Sequence, residues 1–322
     1  MTLHENLSVN RLALPLVEKM IHRYAELCLL VEKTPEGTTI IDAGIATAGS
    51  LAAGKLLTEI CLGGVGTSCL TNFSCGNISL PAIFVATSQP SISLLGSQYA
   101  GWQLKLKEYF AMASGPARAL ALKPKELYEK IGYKDTSDLA VVVLETSKKP
   151  SSEVLSLIAD ECKVTLDKLY VLVAPTASIA GSTQISGRVL EVGLHRLVNL
   201  GFETREVISG SGIAPIAPVH PKQNKAMGRT NDMILYGGTV NFTVSTENDD
   251  ALKAIVEMAP SSTSKEYGKP FAEIFKAAGF DFYKIDPSLF APAAIIVNNL
   301  KTGSVFAAGG INSRALQLSI FG

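Results

Sequence analysis

Two residues of opposite charge stand three positions apart in a segment with helical periodicity. Residues 184–200 are predicted to form one long amphipathic helix, in which Arg188 and Glu191 would share a face. A carboxylate can accept a proton from water, and a guanidinium beside it can keep that carboxylate ionised and orient it. The spacing fits equally well with an exposed ion pair that contributes only about a few tenths of a kcal/mol. The small, polar residues 174–187 that lead into the helix favour a pocket.

Other candidate ligand-binding residues lie in segments rich in glycine, proline and small polar residues. Such segments are either tight turns or loops that let the backbone approach a ligand closely. Arg118, Arg229 and Lys269 follow or interrupt them and could hold the anionic parts of a ligand, or be solvated surface charges. Ser114 and Tyr236 are further candidates for ligand binding. The loops predicted in this way are residues 113–119, 174–182, 209–219, 228–232 and 236–239.

The composition argues against several classes of function. The 29 basic and 29 acidic residues leave no basic excess for a nucleic acid partner. The chain has neither G-x-x-x-x-G-K-[ST] nor G-x-G-x-x-G for nucleotides, and no G-x-S-x-G for an acyl-transfer serine. The four histidines are far apart, and the five cysteines form no C-x-x-C pair. We therefore expect no bound metal, no cofactor, and free thiols in a reducing compartment.

The N-terminus does not resemble a signal peptide, because His4, Glu5 and Asn6 come early and no uninterrupted apolar run follows. No segment approaches the roughly 18 apolar residues that indicate a membrane span. The sequence therefore predicts a cytoplasmic protein without a membrane partner.

Helical and strand patterns alternate without a regular βαβ rhythm, which predicts an α+β fold. Short apolar runs at residues 81–87, 139–144 and 169–173 are typical of buried strands, and residues 233–244 also look like a strand. With 322 residues the chain is long enough for about two domains. The predicted boundary lies where small residues accumulate, giving an N-terminal α+β domain of residues 1–121 and a C-terminal α+β domain of residues 122–322. The second domain would carry the helix with Arg188 and Glu191.

Several long and compositionally unusual strings together resemble one family, the methenyl-tetrahydromethanopterin cyclohydrolases of methanogenic archaea and methylotrophic bacteria. The matching strings run from near residue 7 to beyond residue 309. They include YFAMASGPARALALKPK at 109–125, LVAPTAS at 172–178, APIAPV at 214–219, AMGRTND at 226–232, ILYGGTV at 234–240, YGKPF at 267–271 and DFYKIDP at 281–287.

The resemblance implies a mechanism and a site. The family's catalytic carboxylate and its partner arginine fall on Q-I-S-x-R-x-x-E, which here places these roles on Glu191 and Arg188. The substrate's methenyl bridge is a cationic amidinium, and water attacks its carbon to leave a formyl group on one nitrogen. Because the electrophile carries its own charge, the resemblance implies neither a metal nor a covalent nucleophile. It also implies two α+β domains with the substrate in the cleft between them, and a homo-oligomer, with the trimer as the family's best-known state.

Other functions stay open at this point. The chain could act on another reduced pterin such as a folate, or be a non-catalytic pterin-binding subunit. A nucleotide-binding enzyme is a third alternative, which the missing phosphate motifs argue against.

Overall fold

A computed structural model describes residues 7–322 of the chain. Residues 1–6, on which the argument against a signal peptide partly rested, lie outside the described part. The α-helices are α1 Val9–His22, α2 Leu51–Cys61, α3 Arg118–Ala121, α4 Lys125–Ile131, α5 Ser152–Cys162, α6 Ile179–Ser186, α7 Val189–Asn199, α8 Gln223–Gly237, α9 Asp249–Glu257, α10 Phe271–Ala277 and α11 Ser313–Phe321. The strands are β1 Leu30–Lys33, β2 Thr39–Asp42, β3 Gly66–Cys75, β4 Ile78–Thr87, β5 Trp102–Leu106, β6 Tyr109–Ser114, β7 Ala140–Glu145, β8 Leu169–Val173, β9 Val207–Pro215, β10 Thr239–Val244, β11 Ala294–Asn299 and β12 Val305–Gly309. A π-helix spans Ser91–Gln98.

The chain forms two compact units that interleave along the sequence. The first comprises residues 7–67 and 91–184, and the second residues 68–90 and 185–322. The predicted boundary between residues 121 and 122 does not coincide with this division, because both positions lie in the first unit. Each unit contains a six-stranded mixed sheet, so the predicted α+β class is confirmed.

The first unit places helices on both faces of its sheet, whose strand order is β1-β2-β8-β7-β6-β5. Strands β2, β8 and β7 are parallel and central. In β7, Val141 and Val143 pack against α1 and α2, whereas Ala140, Val142 and Leu144 pack on the side of α5. A strand that is buried on both faces has a continuous run of apolar residues in the sequence. This strand could therefore be predicted from the sequence.

The second unit has the strand order β12-β11-β10-β9-β4-β3. One face of the sheet, which we call the α7 face, carries buried side chains such as Val240, Phe242 and Val297, and α7 and α9 pack on this sheet. On the opposite face, residues from α8, α10 and α11 form an apolar cluster with Ala82 and Ile213. We call this the α8 face.

The segment 233–244, predicted as a strand, is wrong in its first half. Residues 233–237 end α8, and the strand begins only at Thr239. The run Met233–Tyr236 is buried in the α8-face cluster. A short apolar run on a buried helix has the same composition as a buried strand, so periodicity could not separate the two.

Candidate active site

The predicted helix of residues 184–200 is divided into two helices, and Arg188 lies at the break. Helix α6 ends at Ser186, Gly187 and Arg188 form a turn, and α7 begins at Val189. The Arg188 amide donates to the Ile185 carbonyl at 2.9 Å, and the Val192 amide donates to the Arg188 carbonyl at 2.9 Å. Arg188 is therefore the N-cap residue of α7.

Glu191 lies in the first turn of α7. A carboxylate is favoured there because the unsatisfied amides of a helix N-terminus carry partial positive charge. The side chains of Arg188 and Glu191 are both buried, at 7 % and 5 % exposure. The interpretation of these residues as an exposed surface pair is thus wrong. Buried ionised groups persist in proteins only where they are paired or hydrogen-bonded, and such groups concentrate at functional sites.

Glycines bring α7 close to the sheet of the second unit. A Cβ built on Gly210 of β9 would lie 2.9 Å from the Phe242 ring and 3.1 Å from Leu190 Cδ1. A Cβ on Gly193 of α7 would lie 3.0 Å from Val240 Cγ2. The first part of the predicted loop 209–219 is therefore strand β9, whose glycines serve helix packing rather than ligand contact.

The junction of α6 and α7 is tied to the end of β9. Ser186 Oγ donates to the Pro215 carbonyl at 2.8 Å, and the Ile216 amide donates to the Pro81 carbonyl at 2.7 Å. These bonds fix the chain where it leaves the sheet, next to the start of α7.

The predicted loop at residues 174–182 is a loop only as far as Ser178, after which α6 begins. It follows β8 at the carboxyl edge of the parallel strands of the first unit, the edge where ligands bind in many sheets of this kind. Ser178 Oγ donates to the Pro175 carbonyl at 2.7 Å and accepts from the Gly181 amide at 3.0 Å. A Cβ on Gly181 would lie 1.9 Å from the Pro175 oxygen, so glycine is required there.

Two acidic residues that the sequence analysis did not single out lie at the same edge. Asp42 accepts hydrogen bonds from the amides of Gly44, Ile45 and Ala46 at 2.7–2.9 Å, which orders the loop after β2. Glu145 accepts a hydrogen bond from the Thr176 hydroxyl. An acidic residue as the last residue of a buried strand is the signal that could have identified both.

Arg118 has the contacts of a structural residue. It is fully buried, its Nε donates to the Lys123 carbonyl at 2.8 Å, and its Nη1 donates to the carbonyls of Leu95 and Ser97 at 3.1 and 3.3 Å. Its guanidinium carbon lies 5.3 Å from the centroid of the Tyr99 ring. These contacts join the segment that follows α3 to the C-terminal half of the π-helix.

Ser114, the other predicted ligand-binding residue of this region, is also buried. Its hydroxyl donates to the Val143 carbonyl at 3.4 Å. A direct contact between either residue and a ligand remains a prediction.

The other predicted residues gather on the α8 face of the second unit. Residues 228–232, predicted as a loop, lie inside α8, and so does Tyr236. The Tyr236 hydroxyl donates to the Lys269 carbonyl at 2.5 Å and accepts from the Gly268 amide at 3.2 Å. Burial, reinforced by the nearby Asp232 carboxyl, raises the pKa of Tyr236 well above its usual value. Tyr236 thereby holds the segment before α10.

Arg229 and Lys269 line a cavity of about 350 Å³ on this face. Arg229 donates to the Ser319 and Ile320 carbonyls at 3.3 and 2.9 Å, which caps the C-terminal end of α11 with a cation. The Lys269 side chain is exposed. Because the cavity lies on the α8 face and Glu191 belongs to a helix on the α7 face, the structure does not bring Arg229 and Lys269 together with Arg188 and Glu191 along one face of the sheet.

Within residues 7–322, no three His, Cys, Asp or Glu side chains are grouped so that they could hold a metal ion. The same part of the chain contains no helix long and apolar enough to span a membrane.

Comparison with known proteins gives a consistent result. The family described as cyclohydrolase (MCH) matches residues 8–320. The methenyltetrahydromethanopterin cyclohydrolase of Methanocaldococcus jannaschii is 48 % identical over 318 residues, covering 98 % of each chain. The proteins of the same name from Methanothermobacter marburgensis and Methanococcoides burtonii are 48 % and 45 % identical, with 97–98 % of each chain covered. This chain belongs to the MCH cyclohydrolase family.

Proposed function

We propose that this protein hydrolyses the methenyl bridge of methenyltetrahydromethanopterin to give formyltetrahydromethanopterin, in a reversible reaction. The observation that carries the proposal is the family match across nearly the whole chain, with relatives of that name at up to 48 % identity. The alternatives of a folate cyclohydrolase and of a non-catalytic pterin-binding subunit are not favoured by these relatives.

The chemistry requires little activation of the electrophile. Water adds to the amidinium carbon and loses one proton, which gives a neutral adduct. One carbon–nitrogen bond then breaks as the adduct's hydroxyl becomes the formyl carbonyl, and the hydroxyl proton passes to the departing nitrogen. The net reaction consumes one water and releases one proton. The protein must therefore supply a positioned water and a base.

Glu191 is the proposed base and Arg188 the proposed orienting residue. The carboxylate takes the proton from the attacking water, and its negative charge favours the cationic substrate. The break between α6 and α7 supports these roles, because Arg188 is then the N-cap residue and Glu191 lies in the first turn of a helix that packs closely on the sheet. Sites on rigid elements hold catalytic geometry better than sites on mobile loops.

We expect the reaction to need neither an added cofactor nor a metal. Purified protein should convert the methenyl substrate, followed by loss of its chromophore, and should keep this activity after dialysis against a chelator. The corresponding methenyl-folate, assayed side by side, should react far more slowly. Equal rates with the folate would contradict the assigned substrate, and activity that disappears with chelator and returns with zinc would contradict the metal-free mechanism.

The protein is further proposed to be a cytoplasmic homo-oligomer, as the resemblance implies. The five cysteines are free thiols in the described residues, which suits a reducing compartment. Away from the α8-face cluster, the α8 face of the sheet is open. Phe84 on β4 and Ile296 on β11 lie on it at 39 % and 37 % exposure. Apolar side chains that are exposed on the inner strands of a sheet are typical of a surface that another subunit covers.

A further inference from the structure

The carboxyl ends of β7 and β8 form a topological switch point in the sheet of the first unit. The two strands are neighbours and parallel, with Leu144 opposite Val173. The chain leaves β7 for α5, which packs on one face of the sheet, and leaves β8 for α6, whose Ala180 packs with α1 and α2 on the other face. Ligands bind at the carboxyl edge of such sheets, at the point where neighbouring connections diverge in this way.

Glu145, the last residue of β7, lies at this switch point. Its carboxylate accepts a hydrogen bond from the hydroxyl of Thr176, in the loop that follows β8. The Ala174 amide also donates to the Leu144 carbonyl at 3.1 Å, which holds the start of this loop against the end of β7. Thr176 is buried and Glu145 is half-buried. One carboxylate oxygen is therefore oriented by the fold at the edge of the sheet.

The Glu145 carboxylate keeps free acceptor capacity. In the described part of the chain its second oxygen, Oε2, has no hydrogen-bond partner, and no cation pairs with the group. The two lysines that follow β7 are engaged elsewhere, since Lys149 Nζ donates to the Glu32 carboxylate at 2.6 Å and Lys148 Nζ donates to the Glu108 carbonyl at 3.4 Å. An oriented carboxylate that is neither neutralised nor saturated suits a ligand with hydrogen-bond donors.

Asp42, the other acidic residue at this edge, does not have this capacity. Its two oxygens accept three backbone amides, from Gly44, Ile45 and Ala46, at 2.7–2.9 Å. Asp42 therefore orders its own loop, and Glu145 is the better candidate for contact with a ligand.

The donor that fits a carboxylate best is a pair of parallel N–H groups, because each oxygen then accepts one hydrogen bond. The aminopyrimidinone ring of a pterin carries such a pair, the ring N3–H and the 2-amino group. We infer that Glu145 binds this edge of the pterin, with Thr176 orienting the carboxylate. The identity of the ligand rests on the proposed function, and the role assigned is binding and not catalysis.

Binding of tetrahydromethanopterin, the carrier without its one-carbon unit, tests this contact in the absence of any catalytic step. Anaerobic titration calorimetry of the full-length protein should show saturable binding to the wild type. In Glu145→Gln an amide donor opposes a donor of the ring, so Kd should rise by at least about tenfold, the size of one hydrogen bond to a charged group. Equal Kd values for wild type and Glu145→Gln, or no binding by the wild type, would overturn the inference.

Two further variants support this measurement. Glu161→Gln is the matched control, because Glu161 is also half-buried but lies at the end of α5, which leads away from the carboxyl edge of β7. Its Kd should equal that of the wild type. Glu145→Asp keeps the charge but withdraws the carboxylate by one methylene, so it should also weaken binding. The test therefore does not depend on the folding of the glutamine variant alone, and wild-type affinity in Glu145→Asp would contradict the contact.

Steady-state kinetics separate binding from a purely structural role. A contact made alike in the ground state and the transition state changes KM, so Glu145→Gln should raise KM by about tenfold or more and change kcat by less than about threefold. Thr176→Val should raise KM by about threefold in the wild-type background and have no further effect beside Glu145→Gln, because no carboxylate is left to orient. A lower kcat with an unchanged KM, or equal effects of Thr176→Val in both backgrounds, would reduce the pair to a structural role.

Failure of this inference and failure of the proposed function give different results. Turnover of the methenyl substrate, together with a carrier affinity that Glu145→Gln leaves unchanged, would contradict the contact alone. Carrier binding that depends on Glu145 without any turnover would support the contact and contradict the proposed reaction.

Discussion

The backbone amide of Phe271 donates a 2.9 Å hydrogen bond to Oδ1 of Asp232, and this bond joins the start of α10 to the middle of α8. The carboxyl is fully buried, and burial raises its pKa to about 7 from the usual value of 3.8. Folding therefore favours the protonated form of this group.

This relationship predicts a pH-dependent contribution to stability. Below about pH 4 Asp232 is protonated in both states. Between about pH 4 and pH 7 the unfolded chain loses the proton while the folded protein keeps it, so this group lowers the free energy of unfolding as the pH rises, by up to about 4 kcal/mol. Asp232→Asn removes the titration. In denaturant titrations the variant should gain stability relative to wild type between pH 4 and pH 7, and a constant difference across that range would contradict the raised pKa.

A second prediction concerns Gly238, between α8 and β10. A Cβ there would lie 2.7 Å from the Ile234 carbonyl oxygen and 2.8 Å from Val189 Cγ2 at the start of α7. Gly238→Ala should therefore lower the free energy of unfolding by about 1–3 kcal/mol and reduce kcat, because relieving the contact moves α7. Gly310→Ala is the control, since its added methyl would meet nothing within 4 Å. Equal free energies of unfolding for the two variants would contradict this prediction, because they would show that the neighbours of Gly238 move aside for a methyl group at little cost.

The sequence predicted those strands that are buried on both faces. Strand β8 was predicted with its observed bounds, residues 169–173, because an apolar run between turns is buried on both sides. The break at Gly187 was missed, because one glycine inside a helical periodicity does not reveal whether the helix continues. Asp232 was missed for a related reason. Only after residues 223–237 are known to be helical does it fall on one face with Gly228 and Tyr236.

The interleaving of the two units could not be predicted from local signals. Strands β3 and β4 precede most of the first unit in the chain, yet they lie in the sheet of the second. The composition of a hairpin does not indicate with which sheet the hairpin pairs. The domain boundary was therefore predicted from the accumulation of small residues alone, and it falls inside the first unit.

The open part of the α8 face gives a third prediction. If a second copy covers Phe84 and Ile296, charged substitutions there should shift the oligomer toward a 34 kDa monomer in light scattering, because burying an unpaired charge in an interface is costly. Phe84→Lys with Ile296→Lys tests this, and Met258→Lys, an exposed apolar residue at the end of α9, is the control. A wild-type protein that is monomeric at micromolar concentration would exclude the oligomer, and an unchanged oligomer in the double variant would exclude this surface.

The last prediction concerns Glu191 and Arg188 as one catalytic unit. Glu191→Gln keeps the shape of the side chain and can still orient water, but it cannot take up the proton. A general base contributes about 10²–10⁴-fold to rate, so kcat should fall by this order while the fold survives. Glu126→Gln is the matched control, because Glu126 also lies in the first turn of a helix but is exposed. A Glu191→Gln enzyme that keeps more than about a third of wild-type kcat would remove Glu191 from the mechanism.

We expect Arg188 to affect kcat by orienting the Glu191 carboxylate and not independently of it. Arg188→Ala removes the charge and the fixed donors that orient the carboxylate, whereas Arg188→Lys keeps the charge without the planar geometry, so kcat should fall further in the alanine variant than in the lysine variant. In the Glu191→Gln background, Arg188→Ala should cost little more, because removing the base leaves the arginine nothing to orient. The kcat values of the two single variants and the double variant measure this coupling. Multiplicative losses would show that the two residues act independently, and near-normal kcat in both single variants would reduce the pair to a structural role.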